Sequence, residues 1–348
     1  MAEILLTIFF ISVLLFFLGS GIWVALSMIG VSAVGMMLFT SRPVGDAMAT
    51  TIWGTSSSWT LTALPLFVWM GEILFRTRLS ENLFKGLSPW MQKLPGGLIH
   101  VNVVGCALFA AISGSSAATV ATVGKMSIPE LRKRNYPEKI LLGSLAGSGT
   151  LGLLIPPSII LIIYGVAVQE SIAKLFIAGI IPGIMIALIF MSYVIIWSLI
   201  NKKDMPKILE EYSFLEKVKR SKQLLPVILL ISAVIGSIYT GIATATEAAS
   251  LGVVGALILS YIQKSLSLET FKSSLLGATK TSCMIAFILA GSTFLSLAMG
   301  FTGLPRNLAI WIQNMDLSPY VLIFVLMIFY IILGMFLDGI SAVVLTMA

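Results

Sequence analysis

Long apolar runs follow one another along this chain, separated by short polar connectors. They lie near 4–18, 21–39, 52–75, 97–112, 116–128, 139–166, 172–200, 224–242, 245–262, 275–299, 319–337 and 340–348. A bilayer crossing needs about 17–25 such residues, and only helices satisfy their own backbone groups in lipid. The pattern predicts an all-α polytopic membrane protein. Two runs are odd: 97–112 and 116–128 are short and joined by Ser113-Gly114-Ser115-Ser116, which leaves almost no room for a loop. A re-entrant hairpin over 97–128 accounts for that shortness. Two full crossings would keep the same parity.

Composition narrows the class. Of 348 residues, 58% are hydrophobic and 11% charged, against about 25% charged in a soluble domain. One histidine, His100, and two cysteines, Cys106 and Cys283, supply no disulfide framework, zinc site, haem pair or Ser-His-Asp arrangement. A catalytic role is therefore not expected. The net charge of +7 reflects loop placement and not nucleic-acid binding. With the hairpin in place, 18 of the 22 Lys and Arg residues fall on one side. By the positive-inside bias that side is the cytoplasm, and the N-terminus lies outside. Residues 201–223 form the long polar stretch, where Ile208, Tyr212, Leu215 and Val218 are spaced for an amphipathic helix over 203–222 at the cytoplasmic interface, with a solvated connector as the alternative.

The chain also repeats. At an offset of 225 residues, Thr77, Leu79, Asn82 and Leu83 meet Thr302, Leu304, Asn307 and Leu308, and Gly114, Ser116 and Ala117 meet Gly339, Ser341 and Ala342. An odd number of crossings between the copies makes the repeat inverted, a secondary-transporter signature with sites near the midplane. The first copy continues past its hairpin into 139–166, whereas the second ends a few residues beyond its tip. The expectation is a chain truncated within its second hairpin, short of roughly 60–90 residues.

The candidate chemistry sits at the irregular points. In Ser113–Thr119, glycine lets the chain reverse, and hydroxyls with freed carbonyls suit a hard cation such as sodium. The helix start at Ser115, Ser116, Ala117 and Thr119 offers N–H groups to an anionic substrate. Small residues also serve close helix packing. Gly147-Ser148-Gly149-Thr150 and Ile155-Pro156-Pro157-Ser158 interrupt 139–166, and the exposed carbonyls are expected to face the tip. Asp338 at the second tip is an intramembrane carboxylate, ion-linked or substrate-facing, and equally an N-cap. Glu247 fits a capping box with Thr244, and an ion-linked role stays open. Glu72 and Arg76 have i,i+4 spacing.

Four segments in order, Ser113-Gly-Ser-Ser-Ala-Ala-Thr-Val-Ala-Thr-Val-Gly124, Leu154-Ile-Pro-Pro-Ser158, Thr244-Ala-Thr-Glu-Ala-Ala249 and Gly334-Met-Phe-Leu-Asp-Gly339, resemble the DctM-type large membrane subunit of tripartite ATP-independent periplasmic (TRAP) transporters. One departure is Ala245, where the family usually has proline, so no proline break is expected there. The resemblance implies an elevator-type inverted-repeat transporter with two re-entrant hairpins and broken helices. The implied parts are scaffold helices over 1–75, a first transport-domain repeat over 76–171, further scaffold over 172–274, and a second repeat over 275–348. It also implies sodium-driven uptake of an organic acid handed over by a periplasmic binding protein, and a small partner of about four helices in a bacterial or archaeal inner membrane. Sodium is then the coupling ion, with no other cofactor. Carried onto this chain, a first sodium site would use Ser113, Gly114, Gly149, Thr150 and Pro156, and a second Asp338, Gly339 and Ser341. Substrate would meet Ser115, Ser116, Ala117, Thr119 and Asp338. The alternatives are a stand-alone sodium-coupled carboxylate carrier of the same architecture, a redox-complex subunit, or a channel.

Overall fold

A computed structural model describes residues 2–76, 79–206, 212–222, 224–335 and 339–347. Among them the chain forms 17 α-helices and three 3-10 turns. The order is α1 (Ala2–Gly19), α2 (Val24–Phe39), α3 (Val44–Ser56), α4 (Ala63–Phe75), α5 (Leu79–Met91), α6 (Ile99–Ser113), α7 (Ser116–Lys133), α8 (Glu138–Gly149), α9 (Ile159–Ala167), α10 (Ile172–Ile200), α11 (Phe214–Ser221), α12 (Leu225–Tyr239), α13 (Ala245–Ile262), α14 (Leu268–Thr302), α15 (Leu304–Gln313), α16 (Pro319–Gly334) and α17 (Gly339–Met347). The 3-10 turns are Trp59–Thr62, Thr150–Leu153 and Lys202–Asp204. By length and composition α10, α13 and α14 can each cross a bilayer as one helix.

The run 52–75 is not one helix. It breaks at a bend after α3, and the 3-10 turn Trp59–Thr62 precedes α4. Serines at 56, 57 and 58 stand at the bend, where short hydroxyl side chains compete for backbone partners and lower helix propensity. The stretch 275–299 instead extends at both ends into the 35-residue α14. Helices α5 and α15 begin 225 residues apart, the same offset as the sequence repeat.

The chain divides into two compact units. The first comprises Met1–Leu61, Val166–Gln169 and Cys283–Ala348. Its core holds Met36, Phe294 and Ala298, with Ile29, Val44 and Met48 against them. The glycine at 291 brings α14 against the backbone of α2, because a β-carbon there would stand 2.8 Å from the Ala25 carbonyl oxygen. Thr55 and Thr293 share a hydrogen bond at 2.9 Å, and Ser292 donates to the Val344 carbonyl at 2.8 Å, which ties α17 to α14.

The second unit, Thr62–Gly165 with Glu170–Ser282, contains the helical reversal. Here α6 and α7 fold back on each other, with α8 against both. Ile99, Val103, Ala110, Ile140, Leu151 and Val194 form the shared core. Alongside it α4 packs along α13, where Met70 occupies the space opened by Gly252. Glu72 and Arg76 pair at 2.9 Å over the bare backbone of Gly277. The loop from α7 to α8 is held by Arg132–Glu138 and Arg134–Glu130 pairs, and the half-buried Tyr136 hydroxyl accepts from the Leu98 amide at 3.0 Å. Burial pushes that phenol above its ordinary value.

Candidate functional site

The reversal between α6 and α7 is made by two residues. Gly114 takes φ +57°, and an added β-carbon would stand 2.8 Å from the Ile159 amide nitrogen and 3.2 Å from the Pro157 carbonyl oxygen. A left-handed conformation costs a non-glycine residue roughly 1–2 kcal/mol, so both the turn and the close approach require glycine. Ser115 returns to extended backbone and N-caps α7, its hydroxyl accepting from the Ala118 amide at 3.4 Å.

Three oxygens converge just inside this turn. Thr119, fully buried, donates to the Ser115 carbonyl at 2.7 Å, and its Oγ1 lies 2.8 Å from Ser113 Oγ. Ser113 Oγ in turn accepts from the Ser115 amide at 3.3 Å. Two hydroxyls and a carbonyl are thus held together at the turn. At the opening turn of α7, the first N–H groups have no carbonyl a turn earlier to bond. Ser116 is half-buried and Ala117 exposed there.

The second wall is the interruption between α8 and α9. Helix α8 ends at Gly149, a 3-10 turn covers Thr150–Leu153, and Leu154–Ser158 is non-helical with a cis bond between Pro156 and Pro157. Ser158 donates to the Leu153 carbonyl at 2.7 Å. Two glycines set the fit to the turn. A β-carbon on Gly152 would stand 3.1 Å from the Ser116 nitrogen, and one on Gly149 would collide with Val120. The structure therefore brings Ser113, Gly114, Ser115, Ser116 and Thr119 against Gly149, Gly152 and Pro157. Pro156 is buried in the same break. Thr150 stands apart: it is exposed and donates to the Gly147 carbonyl at 2.7 Å.

Asp338 lies outside the described residues. Gly339 opens α17, and Ser341, 6% exposed, is buried in the first unit. Glu247 is exposed at the start of α13, where its carboxylate accepts from the Thr244 amide and hydroxyl, both at 2.8 Å, and Thr244 accepts from the Glu247 amide at 3.3 Å. Among the described residues no three His, Cys, Asp or Glu side chains converge, so a cation at the turn would be held by hydroxyl and carbonyl oxygens. That donor set suits a hard ion.

Three supports escaped sequence reasoning. Gly71 of α4 lets that helix touch the turn, since a β-carbon there would stand 3.0 Å from the Ile112 carbonyl oxygen. Gly179 and Gly183 of α10 cradle the break, with β-carbon positions 2.7 Å from the Leu154 carbonyl oxygen and 2.9 Å from Ile155 Cγ1. Their small-xxx-small spacing was the available signal. Asn102, buried in α6, donates to the Leu141 carbonyl at 3.2 Å and to Ser144 Oγ at 3.0 Å, tying α6 to α8. An amide inside an apolar run could have marked it.

A profile of the tripartite ATP-independent periplasmic transporter DctM component matches residues 9–348. The chain belongs to this family. Its relatives include the C4-dicarboxylate TRAP transporter large permease protein DctM of Pseudomonas aeruginosa, 33% identical over 317 residues, covering 91% of this chain and 73% of that protein. The sialic acid TRAP transporter large permease protein SiaM of Vibrio cholerae is 31% identical, covering 94% of this chain and 76% of its own. The ectoine/5-hydroxyectoine TRAP transporter large permease protein UehC of Ruegeria pomeroyi is 31% identical, covering 97% and 78%. As a DctM-type large permease it is a multi-pass protein of the inner membrane, and the named solutes differ among its relatives.

Proposed function

We propose that this DctM-family chain takes up an organic acid together with sodium, the acid being delivered by a periplasmic binding protein and the chain working beside a small membrane subunit of about four helices. The observation that carries the reading is the buried oxygen cluster of Ser113, Ser115 and Thr119 set against the α8–α9 break. A sodium ion at this joint would draw on Ser113, Gly114, Gly149 and Pro156, mainly through hydroxyl and carbonyl oxygens; Thr150, exposed and bonded to the Gly147 carbonyl, would have to turn inward to join them. A carboxylate would meet the first turn of α7 at Ser115, Ser116, Ala117 and Thr119, where the helix dipole and N–H groups favour negative charge. Bringing the cation beside the anion lowers the cost of holding either in a low-dielectric site, which is how the gradient of one drives the other. C4-dicarboxylates and sialic acid, named for two relatives, both present a carboxylate.

In this reading 97–128 is a re-entrant hairpin and 319–348 belongs to its inverted counterpart, with Asp338, Gly339 and Ser341 at a second cation site. Helices over 1–75 and 172–274 act as scaffold while the repeats 76–171 and 275–348 carry the load across as an elevator. The basic-residue bias puts the N-terminus outside.

The test uses the full-length gene product with its small partner in proteoliposomes, a candidate binding protein loaded with radiolabelled organic acid, and an inward sodium gradient. Uptake is expected to require both the gradient and the binding protein. Uptake indifferent to the binding protein replaces the tripartite reading with a stand-alone carrier, and uptake indifferent to sodium removes the cation role of the tip. Asp338→Asn is expected to weaken the sodium dependence; an unchanged dependence leaves that carboxylate as a cap.

A further inference from the structure

The α5–α11 corner carries charge and apolar surface outside the proposed ion and substrate contacts. In α11, Phe214, Leu215 and Val218 are 70%, 79% and 39% exposed. Successive residues turn by about 100° around a helix, so these three side chains share one arc. Lys217 flanks that arc on one side and Lys219 on the other. Arg220 and the exposed Lys222 extend the positive charge, and Glu216 is engaged by the Ser213 amide at 2.9 Å in a capping box. Three exposed apolar side chains on a short basic helix are costly in water and favourable at a bilayer surface.

The corner is also anchored. Trp90 of α5 donates from its indole to Ser221 Oγ at 2.7 Å, meets Phe214 edge-on at 6.2 Å, and lies under the Lys217 ammonium at 5.5 Å. Arg220 stacks on Tyr212 at 4.3 Å. Leu224 fills the space beside Gly86, which fixes the start of α12 to α5. Helix α11 is bent by 58° from the apolar α12, so when α12 crosses the bilayer α11 turns toward the membrane plane. Tryptophan is enriched at membrane–water interfaces, and Trp90 is 40% exposed here.

We propose that α11, with Trp90 beneath it, is a docking surface for anionic phospholipid. Phe214, Leu215 and Val218 enter the acyl boundary, while Lys217, Lys219, Arg220 and Lys222 engage phosphodiester headgroups. The charge complementarity selects this occupant: an apolar arc flanked by Lys217 and Lys219, on a helix with further positive charge at its C-terminal end, matches an acidic leaflet. The basic-residue bias assigns that leaflet to the cytoplasmic side. Each cation near an anionic surface contributes about 1 kcal/mol, or roughly fivefold in affinity.

The test places a nitroxide at Leu215→Cys in the full chain carrying Cys283→Ser; Cys106 is buried and stays. Nanodiscs of phosphatidylcholine with and without phosphatidylglycerol are compared by the label's accessibility to oxygen, which partitions into lipid, and to a neutral nickel chelate, which stays in water. Immersion is expected to rise with phosphatidylglycerol and to fall in raised salt. The variant Lys219→Gln/Arg220→Gln/Lys222→Gln, which leaves the Trp90 contact in place, is expected to lose the response, about a hundredfold in apparent lipid affinity. A label that stays aqueous in both lipids overturns the proposal in favour of a solvated connector or a soluble protein's docking site. Immersion that is equal without phosphatidylglycerol and in the triple variant also overturns it, because apolar contact alone then suffices. Neither outcome depends on transport.

Discussion

Two proline-bearing stretches of the second unit take opposite courses. Around Pro156 and Pro157 the helix gives way between Gly149 and Ile159, whereas α10 runs unbroken over 29 residues through Pro182. Helices α5 and α7 likewise run through Pro89 and Pro129. One proline costs about 3 kcal/mol in a helix interior by removing a donor and crowding the preceding turn. A long helix with many remaining bonds survives that. The broken stretch instead pairs two prolines behind Gly147, Gly149 and Gly152, each a weak helix former. Its freed backbone finds other partners, such as Ser158 on the Leu153 carbonyl. The lesson is that proline removes helix stability, but a break at membrane depth persists only where the tertiary structure satisfies what it frees.

The contrast can be broken most severely at the turn. Gly114→Val adds a branched side chain at φ +57° against the Ile159 amide. It is expected to cost about 3 kcal/mol or more and to abolish uptake. Wild-type thermal stability in detergent for this variant would contradict the close fit of turn and break. Gly179→Leu comes next, because it drives side-chain atoms into the Leu154 carbonyl. Overpacking of this kind costs about 1–3 kcal/mol, while Gly143→Leu, where nothing lies within 4 Å of an added β-carbon, is expected to be near neutral. Equal melting temperatures for the two would show that α10 does not support the break.

Removing the prolines sharpens the comparison at a smaller scale. Pro156→Ala/Pro157→Ala lets the helix continue and is expected to raise the sodium concentration for half-maximal uptake about tenfold, or 1.4 kcal/mol. Pro182→Ala is expected to move it less than about twofold. The smallest effect belongs to the cap of α13. Thr244→Ala removes the hydroxyl bonded to Glu247 and is expected to cost about 1 kcal/mol of stability with the sodium response unchanged. A shifted sodium response there would make Glu247 ion-linked and not only a cap.

Much of the helix order was readable from runs and punctuation. Gly114 between serines marked the reversal, and the Gly147–Ser158 stretch marked the interruption, because glycine and proline act locally. The bend between α3 and α4 was missed because the apolar content of 52–75 hides three serines whose competition for backbone groups is not a hydropathy signal. Gly71 was missed because a glycine in an apolar helix looks the same whether a neighbour's backbone approaches it or not. Local pattern carries no record of what comes across from another helix.

Chain chemistry alone determined that this is a polytopic helical protein with irregular backbone near residues 114 and 155, since bilayer length, propensity and charge bias act through neighbours in sequence; the DctM family was legible only through the likeness of its motifs. Only the tertiary structure decided which of these features meet. It set the Ser113–Thr119 oxygens against Gly149, Gly152 and Pro157, and it used Gly71 and Gly179 as close approaches. It also separated two apolar helices: α6 is buried along most of its length and α16 has no buried residue. Apolar side chains are equally content against protein or lipid, so their burial follows from which surfaces the fold brings alongside.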